Sequence, residues 1–215
     1  GFLIAGTNIY LGEGNDNLSI NGGASQAENN YSYIYGEAGN DIITVSGDKA
    51  TRIYVDLGDG NDSFNASAAT NFTNLDSAVR GGSGDDTLVG NDNNNVFYGG
   101  DDNDSIDGGN GDNQLHGEAG NDNLVSGSGD DFLYGGGNDD TLNAGGGNDV
   151  IYGGNNSAKG DDGSVDTAVF SGTSNDYKVY RATDSTFGYV YYIQDIRDGS
   201  PDGLDTLYDL SLIHI

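Results

Sequence analysis

From Gly81 to Tyr152 the chain repeats one polar and apolar pattern every nine residues, in eight units without a gap. They read GGSGDDTLV, GNDNNNVFY, GGDDNDSID, GGNGDNQLH, GEAGNDNLV, SGSGDDFLY, GGGNDDTLN and AGGGNDVIY. The eighth position is always apolar: Leu88, Phe97, Ile106, Leu115, Leu124, Leu133, Leu142 and Ile151. Chance does not produce that in a chain that is 34% hydrophobic. One inward residue in positions seven to nine predicts a short strand, because successive strand side chains point to opposite faces. Glycine at positions one, two and four predicts a turn with φ > 0 and exposed carbonyls. Two units then make one coil of eighteen residues, with a strand on each face and a turn on each edge.

Residues 1–80 follow the same pattern with looser spacing. The turns recur as LGEGNDNLSI at 11–20, GEAGNDIITV at 36–45 and LGDGNDSFNA at 57–66. Asp16, Asp41, Asp62 and Asp86 are separated by 25, 21 and 24 residues, one coil plus a few extra residues each time. The extras fall in the polar stretches Asn21–Asn30, Ser46–Thr51 and Ala66–Asn74, so one edge is regular throughout and the other is irregular until residue 90. Ile9, Ile34, Val55 and Val79 lie seven residues before their Asp, and Leu18, Ile43, Phe64 and Leu88 two after it. These are expected to form two facing columns of a thin core, extended by Ile20, Val45 and Ala66.

After Tyr152 the register breaks, and GDDGSVDTAVF at 160–170 resumes a turn and strand. Residues 177–182 and 187–196, rich in Tyr and Val, predict two more strands. RDGSPDG at 197–203 predicts a turn before GLDTLYDL. The organisation expected is irregular roll at 1–80, regular roll at 81–160 and a C-terminal β cap at 161–215.

The array resembles the RTX family, the hemolysin-type calcium-binding repeat proteins, whose repeat reads GGxGxDxUx. The run from DTAVFSG through NDY to SPDG and DTL resembles the terminal segment of many members. The resemblance covers nearly the whole chain and is strongest over 81–210. It implies an all-β fold, a right-handed parallel β-roll with a C-terminal β cap, and several bound Ca²⁺ ions. It further implies an extracellular or cell-surface protein exported by the type I secretion machinery. Members usually continue with a further apolar, acidic strand, whereas this chain has Ser211–Ile215, so His214 is given no role. The chain contains no Met, so Gly1 is read as an internal residue of a longer protein.

Charge sharpens this reading. Lys and Arg number 7 against 35 Asp and Glu, a net charge of −28. That disfavours nucleic acid and anionic membranes as partners and favours cations. No apolar run approaches the roughly 18 residues a membrane-spanning helix needs. There is no Cys, no HExxH and no nucleophile elbow, so no catalytic residue is assigned within this chain. Position-six carboxylates of successive coils would stack about 4.8 Å apart. Two unit charges at that spacing repel by roughly 0.9 kcal/mol even in bulk water.

Alternate units share an edge, and the edges differ. Edge A carries Asp16, Asp41, Asp62, Asp86, Asp104, Asp122 and Asp140, with no carboxylate lost. Edge B begins with Asn95 and Asn113 and recovers with Asp131 and Asp149. Asn is neutral with one carbonyl oxygen and holds Ca²⁺ less well. Edge A is therefore expected to bind calcium along its length, and edge B best between Asp131 and Asp149, with Asp112 able to replace Asn113 if the turn slips by one. The turn glycines Gly82, Gly84, Gly100, Gly120, Gly129, Gly136 and Gly147 are expected to complete the metal sites. One outer face carries an aromatic column including Tyr98, His116, Tyr134 and Tyr152. It is expected to be covered by the C-terminal strands or to stack on itself, the alternative being a platform for an extracellular polysaccharide.

Overall fold

The strands form where the nine-residue pattern places them. A computed structural model describes residues 7–21, 32–47, 53–70, 78–154, 164–184, 188–199, 202–210 and 212–214. The irregular first part gives β1 (Asn8–Glu13), β2 (Asn17–Asn21), β3 (Ser32–Ala38), β4 (Ile42–Gly47), β5 (Ile53–Asp59) and β6 (Ser63–Ala69). The regular array gives β7 (Val79–Ser83), β8 (Thr87–Val89), β9 (Val96–Asp101), β10 (Ser105–Asp107), β11 (Gln114–Ala119), β12 (Asn123–Val125), β13 (Phe132–Gly137) and β14 (Thr141–Asn143). Then come β15 (Val150–Gly154), β16 (Thr167–Val169), the hairpin β17 (Tyr177–Asp184) and β18 (Gly188–Asp195), and finally β19 (Leu204–Tyr208) and β20 (Leu212–His214). The polar stretches expected to carry the extra residues lie largely outside the described residues.

Strands alternate between two sheets, so each coil contributes one strand to each. The first sheet has eleven strands in the order β1-β3-β5-β7-β9-β11-β13-β15-β19-β18-β17, and the second has nine, β2-β4-β6-β8-β10-β12-β14-β16-β20. All pairings are parallel except those of β18 with β17 and β19. The molecule is a parallel β-roll.

The core is two stacked columns, one from each sheet. In the first, Ile9, Ile34, Val55, Val79, Phe97, Leu115, Leu133, Ile151 and Leu207 are consecutive register partners. In the second they are Leu18, Ile43, Phe64, Leu88, Ile106, Leu124, Leu142, Ala168 and Ile213. Most of these side chains are fully buried, and Ile20, Val45 and Ala66 extend the core as expected. Slipping any strand by one residue would turn its inward residue outward, so burial itself fixes the register.

The break after Tyr152 is not the end of the roll. Ala168 covers Leu142 and completes the coil that β15 begins, and Leu207 covers Ile151 as part of one further coil, β19 and β20. The β17–β18 hairpin is an insertion between these coils, and it lengthens the first sheet beyond β19 rather than lying across a face. Of the apolar residues in the expected C-terminal β cap, Ile193 and Val190 are buried, while Val165, Val179 and Tyr180 are exposed. Exposure follows from their place: Val165 sits in a turn and the other two on the outermost strand. Phe187 lies outside the described residues. The tail enters the fold as β20, with His214 opposite Val169.

The aromatic column is a ladder stacked on itself. Tyr98, His116, Tyr134, Tyr152 and Tyr208 lie ring on ring, with centroids 4.5, 4.6, 4.9 and 4.5 Å apart and planes within 10°. Arg80 covers the free face of Tyr98, its guanidinium carbon 4.4 Å from the ring centroid. Burial within this stack, with the Arg80 charge, pushes His116 down to about 4. Its imidazole is therefore neutral at pH 7.

Candidate metal sites

Position six of each unit points inward at the turn, and its two oxygens have different fates. On edge A, Oδ1 of each Asp accepts the backbone N–H of the position-six residue one coil earlier. The bonds run from Asp16 to Asp41 (2.8 Å), Asp41 to Asp62 (2.7 Å), Asp62 to Asp86 (2.7 Å) and Asp86 to Asp104 (2.9 Å). They continue from Asp104 to Asp122 (2.8 Å), Asp122 to Asp140 (2.8 Å) and Asp140 to Asp166 (3.1 Å). Edge B repeats the device from Asn95 to Asn113 (2.9 Å), Asn113 to Asp131 (2.7 Å), Asp131 to Asp149 (2.8 Å) and Asp149 to Asp205 (2.9 Å).

Oδ2 is left over. In Asp41, Asp62, Asp86, Asp104, Asp122, Asp131, Asp149 and Asp205 it is buried with no hydrogen-bond partner. Leaving a buried charged acceptor unmet is among the costlier defects a fold can carry. Burial, with the neighbouring carboxylates, pushes Asp86 up to about 7, Asp104 to about 8 and Asp122 to about 6, against the opposing effect of the N–H bond each accepts. Asp62, Asp131, Asp149 and Asp205 are raised for the same first reason.

Backbone carbonyls face the same space. A Cβ added to Gly81, Gly99, Gly117 or Gly135 would collide with Oδ2 of its own unit, at Asp86, Asp104, Asp122 or Asp140, and would crowd the carbonyl of the matching glycine one coil on. Position one on edge A therefore needs glycine for space. Its φ is not in the left-handed region, contrary to the sequence expectation. Positions two and four do need φ > 0: Gly82, Gly84, Gly100, Gly120, Gly129, Gly136 and Gly147 lie between 109° and 144°. Among the described residues no three carboxylate or imidazole side chains converge. What converges instead is carboxylate oxygen and backbone carbonyl, hard oxygen donors of the kind Ca²⁺ takes. The unmet Oδ2 column fits that ion.

Sequence reasoning missed three features. Asp166 and Asp205 continue the two columns, and the signal was present in DTAV and DTLY, which repeat the D-x-U-x half of the unit. The third is position five, always Asn or Asp in the eight regular units. Its side chain forms a second, exposed ladder running the opposite way. Oδ1 of Asp85, Asn103 and Asn121 accepts the position-five N–H one coil later, at Asn103, Asn121 and Asp139. Asn94, Asp112 and Asp130 do the same on edge B. Asp112 is thus held in the outer ladder while Asn113 takes the inner place, so the turn does not slip.

A parallel β-roll whose turns gather buried carboxylate oxygens and backbone carbonyls has the donor set that hard cations take. A family model of the RTX calcium-binding nonapeptide repeat, in four copies, matches residues 31–48, 80–115 and 116–151. Across these segments the chain carries RTX calcium-binding nonapeptide repeats, which imply a calcium-binding module. Comparison with curated proteins gave no match.

Proposed function

We propose that this roll makes the folding and stability of a type I-secreted protein depend on extracellular calcium. The observation that carries the reading is the column of buried Oδ2 atoms without partners on a chain of net charge −28. Asp16, Asp41, Asp62, Asp86, Asp104, Asp122, Asp140 and Asp166 would hold the ions on edge A, and Asp131, Asp149 and Asp205 on edge B, with turn carbonyls completing each set. The ion supplies positive charge where successive carboxylates otherwise repel, so its binding energy becomes folding energy. Extracellular calcium modules bind with a Kd of about 0.1–1 mM. A chain of that affinity stays unfolded in a calcium-poor cytosol and folds outside, which suits export through a narrow channel.

The test is a calcium titration of the chelated chain followed by far-UV circular dichroism, with Mg²⁺ as control. A sigmoidal gain of β signal at millimolar Ca²⁺, absent with Mg²⁺, is expected. A β signal already complete in chelator would overturn the proposal. An accessory role against a polysaccharide has less support, because the ladder rings cover one another's faces and leave a sugar only their edges.

A further inference from the structure

Edge B departs from the acidic pattern at Asn95 and Asn113, and what the two amides do there is specific. Asn113 Oδ1 accepts the Asn95 N–H at 2.9 Å, as Asp104 Oδ1 accepts the Asp86 N–H at 2.9 Å. Asn113 Nδ2 therefore stands where the unpaired Oδ2 stands in Asp104. Around it lie the carbonyls of Gly109 (3.2 Å), Asn110 (3.4 Å) and Gly111 (2.9 Å) and the Ser126 hydroxyl (3.4 Å). Asn95 Nδ2 is ringed more fully. Its neighbours are the carbonyls of Asn91 (3.3 Å), Asn93 and Gly108 (3.1 Å) and the side-chain oxygens of Asn91 (3.3 Å) and Asn113 (3.4 Å).

A primary amide has two hydrogens. It cannot donate to five oxygens at once, so the arrangement is a cage of oxygens with one electropositive centre. Turning either amide over would set its oxygen against carbonyls, acceptor facing acceptor. The shared Asn95–Asn113 bond fixes the orientation independently for Asn113.

We propose that the Asn95 and Asn113 amides are built-in substitutes for the cation. Each places a polar N–H group at the centre of the oxygen cage, neutralises the lone pairs there and bars an ion from the turn. In the turns Gly90–Asn95 and Gly108–Asn113 the amide takes the ion's place, leaving Asn95 Oδ1 buried without a partner, and the calcium sites of edge B begin only at Asp131. This rests on the reading that calcium fills the acidic turns. It goes further in assigning Asn95 and Asn113 as the residues that decide where the ion is refused.

Two measurements test it. The first is an anomalous difference map from crystals of the full chain grown in calcium. Peaks are expected at the Asp turns and none at Asn95 or Asn113. Peaks of equal height at the Asn turns overturn the substitution. Absence of peaks at the Asp turns as well would instead overturn the calcium reading, so the two failures are distinguishable. The second is calcium bound per chain, by equilibrium dialysis at saturating Ca²⁺, for the parent and the double variant N95D/N113D. The variant is expected to bind more ions and to need more calcium for half-folding, because it has lost two amide centres and gained two charges. An unchanged stoichiometry in a folded variant counts against the proposal, and if the variant does not fold the map of the parent decides alone.

Discussion

At the scale of single residues, the two oxygens of each position-six carboxylate do different work, and substitutions separate them. Asp104→Ala removes the acceptor of the buried Asp86 N–H as well as a proposed metal ligand. Leaving that donor unmet costs about 1–3 kcal/mol, so the calcium-loaded variant should melt several degrees lower and need more calcium to fold. Asp104→Asn should keep the N–H bond and bring its own amide to the cage, as Asn113 does. It is expected to lose less stability than the Ala variant while binding fewer ions; equal losses in thermal melts would contradict the division of roles. Gly99→Ala would force a Cβ against Asp104 Oδ2, with the Gly117 carbonyl close behind. That should weaken calcium binding although the φ there is ordinary.

The same carboxylates set a pH dependence. Folded values of about 6–8 at Asp122, Asp86 and Asp104 stand above the roughly 3.9 of an unfolded Asp. The folded chain without calcium thus holds protons that the unfolded chain would release. Their stabilising effect is complete below about pH 4 and is lost as pH rises through about 6–8. In chelator, β signal should therefore be greater at pH 5 than at pH 8. Saturating calcium should abolish or reverse that order, because protons then compete with the ion. A chelated chain whose signal is flat from pH 5 to 8 would contradict it.

At the scale of elements, the C-terminal region shows how a roll can be closed with a side-chain cation. Arg197 Nη2 lies 2.7 Å from Asp195 and 2.9 Å from Asp202, both carboxylates buried, and also reaches Ser171 and the Tyr177 hydroxyl. Burial and the Asp202 bond push that hydroxyl up to about 12, while Arg197 holds Asp195 down at about 2. Arg197→Leu leaves two buried carboxylates uncompensated. Removing the cation from beside a buried carboxylate destabilises the fold, because the charge left behind has lost its partner. The variant should melt lower even at saturating calcium; an unchanged melting temperature would show that the cluster contributes nothing. Truncation after Tyr152 removes β16 and β19, which cover Leu142 and Ile151, together with β20 beyond β16, and bares both sheet ends. Such a chain should aggregate or fold only at higher calcium.

This region was also the least legible in the sequence. The columns through Ile34, Leu88 and Leu133 could be read at once, because a strict period leaves one inward side chain per strand. The coils at Asp166 and Asp205 were harder to see, because Leu207 in β19 lies 39 residues after Ala168 in β16 with a hairpin between them, and long insertions erase a period without changing the register. Position one was assigned the wrong reason for its glycine because space in a turn depends on the neighbouring coil, which a single unit does not show. The amide cage at Asn95 had no sequence signature beyond the missing carboxylate.

For the whole molecule, a thin core, two carboxylate columns and a charge of −28 underlie the proposal that folding needs the ion. The outer position-five ladder and the stacked ring ladder add hydrogen bonds and ring contacts between coils, yet they leave the inner oxygens unmet. Folding and ion binding should then be a single event along the column.

Residue-level hydrogen exchange of the position-six amides Asp41, Asp62, Asp86, Asp104 and Asp122 reads that coupling directly. Each N–H is donated to the next Oδ1, and under the proposed function each neighbouring Oδ2 would take a cation. In chelator at pH 7 these amides should exchange as in an unfolded chain, and at millimolar Ca²⁺ they should become protected together. Protection of the same amides in chelator, unchanged when calcium is added, would show that the roll stands without the ion.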